Sequence, residues 1–149
     1  MLKIYLDNCC YGRPFDDLTQ SKINDEANAK LYVQNLIKFN VVKLYYSFVS
    51  LAEIFDCPYQ DKQNAILEFI GEVNGEYIGA DKTTDIIQFV KEITETGIKE
   101  KDARHIVCAV YAGCDYLLTT DRRLLNYKTN KIKLINPIDF VKLWEGKNG

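Results

Sequence analysis

The apolar run at residues 2–6, LKIYL, stops abruptly at Asp7-Asn8. A run this short and rich in β-formers suits a buried strand, and the acid marks where burial ends. The same pattern recurs along the chain. Residues 42–47 favour a second strand, Tyr77-Ile78 a minor third, residues 116–120 a fourth that ends at Asp121, and residues 132–135 a fifth.

Helical spacing fills the intervals. Residues 21–38 repeat Ile23, Ala27, Leu31, Leu36 and Ile37, and residues 61–72 put Ala65, Ile66, Phe69 and Ile70 on one face. Residues 50–55 predict a short helix ended by Pro58, while Gly12, Pro14, Asp16 and Asp17 mark a loop after strand one. Thr83 is placed to cap a helix carrying Ile86, Ile87, Val90 and Ile93, closed by Gly97. Another helix runs from Glu100 to Ala112 and is closed by Gly113. Asp121 caps the short helix RRLLNY, and Asn136-Pro137 opens a terminal helix that holds Trp144.

Strands alternating with helices predict an α/β fold with a mainly parallel, roughly five-stranded central sheet, flanked by helices and joined by right-handed crossovers. A length of 149 residues fits a single domain over 1–149. The net charge of -2 hides a gradient, because residues 51–100 carry 4 basic and 11 acidic groups while residues 101–149 carry 9 and 5. Only the last segment helps to attract a polyanion, so sequence-blind nucleic-acid binding is excluded. Five cysteines, an odd number in a chain that can bury a core unaided, argue against a disulfide framework and for the cytoplasm. Asp7 interrupts any signal-peptide apolar region, and no run approaches the ~18 apolar residues of a membrane span.

In parallel sheets, ligands bind beyond the carboxyl ends of the strands. Four acids meet that test: Asp7 after strand one, Glu53 in the helix after strand two, Asp102 opening its helix, and Asp121 after strand four. Each has a plain structural reading as well, since acids at helix starts satisfy free N–H groups and complement the helix dipole. If the four converge, two carboxylates about 5 Å apart repel by roughly 3 kcal/mol at an effective dielectric of 20. A cation resolves the conflict. All-oxygen ligation suits Mg²⁺ or Mn²⁺, and such ions activate water against phosphodiesters. Lys101, Arg104 and His105 surround Asp102 in sequence, and Arg122 and Arg123 follow Asp121; with Arg13 these are candidate contacts to a nucleic-acid backbone. Thr119 and Asn8 are candidate supports for a metal ligand or its water.

The motifs IYLDNCC with Asp7, SLAEI with Glu53, KDARHIVCAVYAG with Asp102, and YLLTTDRRLL with Thr119 and Asp121 resemble PIN-domain ribonucleases, especially VapC-type toxins of toxin-antitoxin pairs. The likeness runs from strand one to strand four. It implies a three-layer PIN-like fold and a Mg²⁺ or Mn²⁺ site at Asp7, Glu53, Asp102 and Asp121. It also implies endonucleolytic RNA cleavage, homodimers, and an antitoxin partner whose tail covers the site. This chain departs from the pattern at Asn8-Cys9-Cys10, where many members carry a small hydroxyl residue after the first acid.

Other classes have less support. There is no G-x-S-x-G elbow, and the only histidine, His105, lies three residues after Asp102 on one helix, which makes a nucleophilic triad a poor fit. Cys9, Cys10, Cys57, Cys108 and Cys114 lack C-x-x-C spacing, and buried packing is the default for Cys108, Cys57 and Cys114. Two alternatives stay open: a PIN-like module that binds RNA or protein without cutting, and a phosphoacceptor receiver domain with Asp81 as acceptor and Thr119 as switch. Tyr45-Tyr46 reads either as core or as part of a dimer contact.

Overall fold

In the computed structural model, residues 1–12, 21–79 and 84–148 are described. They form five strands, β1 (Lys3–Leu6), β2 (Lys43–Ser47), β3 (Glu76–Ile78), β4 (Tyr116–Leu118) and β5 (Lys133–Ile135). The helices are α1 (Cys9–Gly12), α2 (Ser21–Lys38), α3 (Phe48–Phe55), α4 (Gln60–Glu72), α5 (Thr84–Thr94), α6 (Glu100–Tyr111), α7 (Arg122–Leu125) and α8 (Pro137–Asn148). The strand order is β3-β2-β1-β4-β5, and every pairing is parallel. A receiver domain has its first strand between the second and third, whereas β1 here lies between β2 and β4. The strand order thus disfavours the receiver alternative, and its acceptor Asp81 lies outside the described residues, as do Arg13, Pro14, Asp16, Asp17 and Thr83.

Strand alternation builds two cores. Ile4, Leu6, Tyr116 and Leu118 face one side of the sheet, where Val33 and Ile37 of α2, Phe69 of α4 and Phe140 of α8 cover them. Tyr5 and Leu117 face the other side, against Ile93 of α5 and Ile106 of α6. Helices on both faces explain why the strands read as continuous apolar runs. Tyr45 and Tyr46 pack against these two opposite cores, and Cys108 and Cys114 are buried while Cys57 is half-buried. At Gly97 (φ 102°) and Gly113 (φ 75°) the chain takes the left-handed turn that lets each preceding helix stop.

Several local expectations are corrected. A single helical turn, α1, begins two residues after Asp7, where no helix was expected; Cys10 N–H donates to Asp7 O at 2.8 Å. Four residues are too few for periodicity to register. The helix expected over residues 50–55 begins at Phe48, because Ser47 ends β2 and also caps α3, its hydroxyl accepting from the N–H groups of Val49 and Ser50. β4 stops at Leu118, two residues before the expected end. On α2, Leu31 is exposed while Glu26 and Lys30 are buried. Both charged groups are satisfied: Lys30 Nζ donates to Cys9 O (2.7 Å), and Glu26 Oε2 accepts from Asn136 Nδ2 (2.9 Å). Ile87, expected on the buried stripe of α5, is also exposed.

Leu117 is fully buried at the centre of the sheet. Leu117→Ala is expected to lower unfolding stability by about 2–5 kcal/mol, as cavity-forming core truncations do. Urea denaturation measures it, and a loss well under 1 kcal/mol contradicts this packing.

Candidate metal centre

The sheet order reverses between β1 and β4, and the residues that follow these two strands meet at that point. Asp7 N–H donates to Leu118 O at 2.9 Å, and Thr119 N–H donates to Ile135 O at 3.0 Å, so the ladder continues just past the strand ends. Asp7 is buried, and donors surround its carboxylate. Oδ1 accepts from Asn8 N–H (2.8 Å), and Oδ2 accepts from Thr119 Oγ1 (2.8 Å) and from the Cys9 thiol (3.6 Å). Thr119 Oγ1 in turn accepts from Asp121 N–H at 3.0 Å. One buried hydroxyl therefore ties the first acid to the fourth.

Glu53 projects from α3, and its side chain is 19% exposed. Its Oε1 lies 2.7 Å from Nε2 of His105, a fully buried residue of α6. Asp7, Glu53 and His105 each offer one ligand atom, and these atoms lie within 4.8 Å of one another. Asp102 and Asp121 stand outside this compact group. Asp102 is half-buried, and its carboxyl is pushed above the ordinary value by burial first, then by the charges of Asp7 and Asp121, with Glu53 adding a smaller push and His105 opposing. All four acids thus share one electrostatic neighbourhood. Asp121 has a structural duty as well, capping α7 through Arg123 N–H at 2.9 Å.

The donor set fits a divalent cation. Carboxylate oxygens dominate it, and Asn8 offers one more oxygen: Nδ2 donates to Ser50 O (3.0 Å), while Oδ1 is buried with no hydrogen-bond partner among the described residues. The vicinal cysteines differ in character. The hydrogen bond shared with Cys10 lowers the Cys9 thiol, whereas burial raises Cys10.

The basic candidates fare unevenly. Lys101, Arg122 and Arg123 are exposed on the elements that carry Asp102 and Asp121. Arg104 does not surround Asp102. Residues two apart on a helix point in different directions, and Arg104 pairs instead with Glu100 at 3.0 Å. It lines a separate, largely apolar cavity of about 830 Å³ beside Val90, Val107 and Tyr111.

Sequence reasoning weighed His105 as a basic neighbour of Asp102 and as a triad base, whereas its ring is fully buried, and it missed Tyr5, Ser47 and Ser50. The Tyr5 hydroxyl lies 2.5 Å from His105 Nδ1, 2.6 Å from Ser47 Oγ and 3.1 Å from Ser50 Oγ. Two signals were available: the i,i+3 spacing of Asp102 and His105, and a tyrosine inside an otherwise aliphatic strand end.

No protein-family model matches the sequence, and no curated protein gives a significant match. Solved structures do. A chain of VapBC2 from Rickettsia felis, bound to a DNA fragment from their promoter, superposes with a TM-score of 0.59 at 13% identity, covering 91% of this chain and 98% of that one. A chain of VapBC-1 from nontypeable Haemophilus influenzae gives a TM-score of 0.54 at 17% identity, covering 92% and 98%. The fold is therefore a VapC-like PIN fold, an all-parallel five-stranded sheet between helices. Among the described residues, no helix is long and apolar enough to cross a membrane.

The raised Asp102 carboxyl fixes a sign. In the metal-free protein the folded state holds this proton more tightly than the unfolded chain does. The group's stabilising contribution is full below the ordinary aspartate value of 3.8 and is lost as pH rises through the higher folded value. Asp102→Asn is therefore expected to melt higher than wild type in EDTA at pH 7, with the gap closing toward pH 4. Thermal unfolding of both proteins across that range checks it, and a gap independent of pH contradicts the electrostatic origin.

Proposed function

We propose that this protein is a divalent-metal-dependent endoribonuclease of the VapC type, hydrolysing RNA phosphodiester bonds. The observation that carries the reading is the approach of Asp7 and Glu53 to within 4.8 Å at the switch point of a PIN-like sheet, with Asp102 placed to feel the charges of Asp7, Asp121 and Glu53. Like charges held close together are costly without compensation, and a metal ion would supply it. Asp7 and Glu53 would hold the ion, Asp102 and Asp121 would hold it directly or through water, and Asn8 Oδ1 offers a further ligand or water contact. When bound there, Mg²⁺ or Mn²⁺ lowers the pKa of an attacking water and neutralises charge that develops on the phosphate.

The protein's own groups do the positioning. Thr119 and Asn8 aim the Asp7 carboxylate, and Asp121 is held by the turn it caps. Lys101, Arg122 and Arg123 are placed to meet the RNA backbone at the rim, where charge-assisted contacts orient without reading sequence. An antitoxin partner belongs to the same proposal, supported by the fold's likeness to chains of VapBC assemblies. So does a homodimer, which light scattering at micromolar concentration tests.

Wild type and Asp7→Asn, incubated with structured and unstructured RNA in Mg²⁺, Mn²⁺ or EDTA, provide the test. Cleavage by wild type with metal, and a loss of about 100-fold or more in Asp7→Asn, is expected if the centre supplies several kcal/mol of transition-state stabilisation. Cleavage that survives in EDTA or in Asp7→Asn overturns the assignment. Metal binding with no cleavage of any RNA favours a binding module that does not cut.

A further inference from the structure

A metal centre of this kind leaves one residue unaccounted for. His105 is fully buried, and both of its ring nitrogens are engaged, Nε2 with Glu53 Oε1 and Nδ1 with the Tyr5 hydroxyl. Its proximity to two carboxylates would ordinarily suggest a third metal ligand. The surrounding hydrogen bonds point elsewhere.

Ser47 Oγ accepts from Val49 N–H (3.2 Å) and from Ser50 N–H (3.3 Å), so both of its lone pairs are occupied. Its own hydrogen is then free to go to Tyr5 Oη, 2.6 Å away. Ser50 Oγ accepts from Ser47 N–H (3.1 Å) and lies farther from the tyrosine, at 3.1 Å. The Tyr5 hydrogen therefore goes to the nearer acceptor, His105 Nδ1, at 2.5 Å. With Nδ1 accepting, the ring hydrogen sits on Nε2 and points at Glu53. A nitrogen that carries its hydrogen has no lone pair for a metal.

We propose that His105 is a positioning residue and not a metal ligand: its Nε2–H holds the Glu53 carboxylate in the centre, and Tyr5, Ser47 and Ser50 lock the ring that carries it. This inference rests on the metal-centre reading above. A glutamate has several side-chain torsions to fix, and repulsion from Asp7 favours rotamers that carry its carboxylate away. A buried donor opposes that escape. Because this ring form is uncharged, it orients the carboxylate without cancelling the negative charge a cation needs. His105 also lies one helical turn after Asp102, so α6 presents one acid and anchors another on α3.

The test uses the full chain and Mn²⁺ alone as probe. Affinity is read from the electron paramagnetic resonance signal of free Mn²⁺, and bound nitrogen from spin-echo modulation, for wild type, His105→Leu, His105→Gln and Tyr5→Phe, each first checked for native circular dichroism. Wild type is expected to bind Mn²⁺ with no directly coordinated nitrogen. His105→Leu should weaken binding about 10–100-fold, the usual effect of removing a group that orients a metal ligand. His105→Gln, which keeps an N–H donor, should recover most of that loss, and Tyr5→Phe should fall between wild type and His105→Leu. Coordinated nitrogen in wild type overturns the proposal by making His105 a ligand. Unchanged affinity in a folded His105→Leu overturns it by making the ring mere packing. If His105→Leu does not fold, Tyr5→Phe and the nitrogen signal decide. A wild type that binds no Mn²⁺ overturns the metal-centre reading itself, a result distinct from the others because each of those begins with wild-type binding.

Discussion

The pairing of β1 with β4 is the constraint on which the rest of the structure depends. It brings Asp7 and Thr119 side by side although 112 residues separate them, and the hydroxyl of one then fixes the carboxylate of the other. Because the sheet order reverses between these strands, their connections leave in opposite directions at the carboxyl ends, where parallel sheets hold their ligands. Were β4 elsewhere in the sheet, Asp7 would be a buried acid without its hydroxyl donor, a costly arrangement. The strand order thus brings the two strand ends together and makes a buried acid there tolerable.

Three of the four acids are oriented by hydrogen-bond partners. Asp7 is oriented by Thr119 and Asn8, Glu53 by His105, and Asp121 by the N–H of Arg123. Burial and the charges of its neighbours raise the proton affinity of Asp102. It is also the acid carried by the long helix whose other side packs into the second core, so it cannot relax by moving its backbone. A rigid scaffold of this kind keeps charges close without a ligand, at some cost in stability, and is the type of preorganisation that binding sites use.

Much of this was legible in the sequence because it follows from periodicity and from acids that stop apolar runs. The five strands, the long helices and the positions of Asp7, Glu53, Asp102 and Asp121 at strand ends or helix starts all come from such local patterns. What escaped was whatever depends on a partner far away in the chain. Lys30 and Glu26 are charged, yet both are buried and each finds a partner far away in the chain, and Leu31 is left outside instead. Ser47 reads as a strand residue, and only the turn geometry reveals that it also opens α3. Arg104 seemed to belong with Asp102 by adjacency, but helical geometry directs it to the opposite side. His105 is the sharpest case, since its role is set by Tyr5, 100 residues earlier, and by Glu53, 52 residues earlier.

The bond between Thr119 and Asp7 has a consequence for how the protein comes into being. Closing a loop of that length costs conformational entropy that only the finished sheet repays. During synthesis the chain carries Asp7 and Glu53 out of the ribosome well before β4 exists to receive them. The acidic centre therefore cannot assemble on a fragment that lacks β4: it appears once β4 has been made and slots in beside β1. Whatever activity the centre has is withheld until that pairing forms.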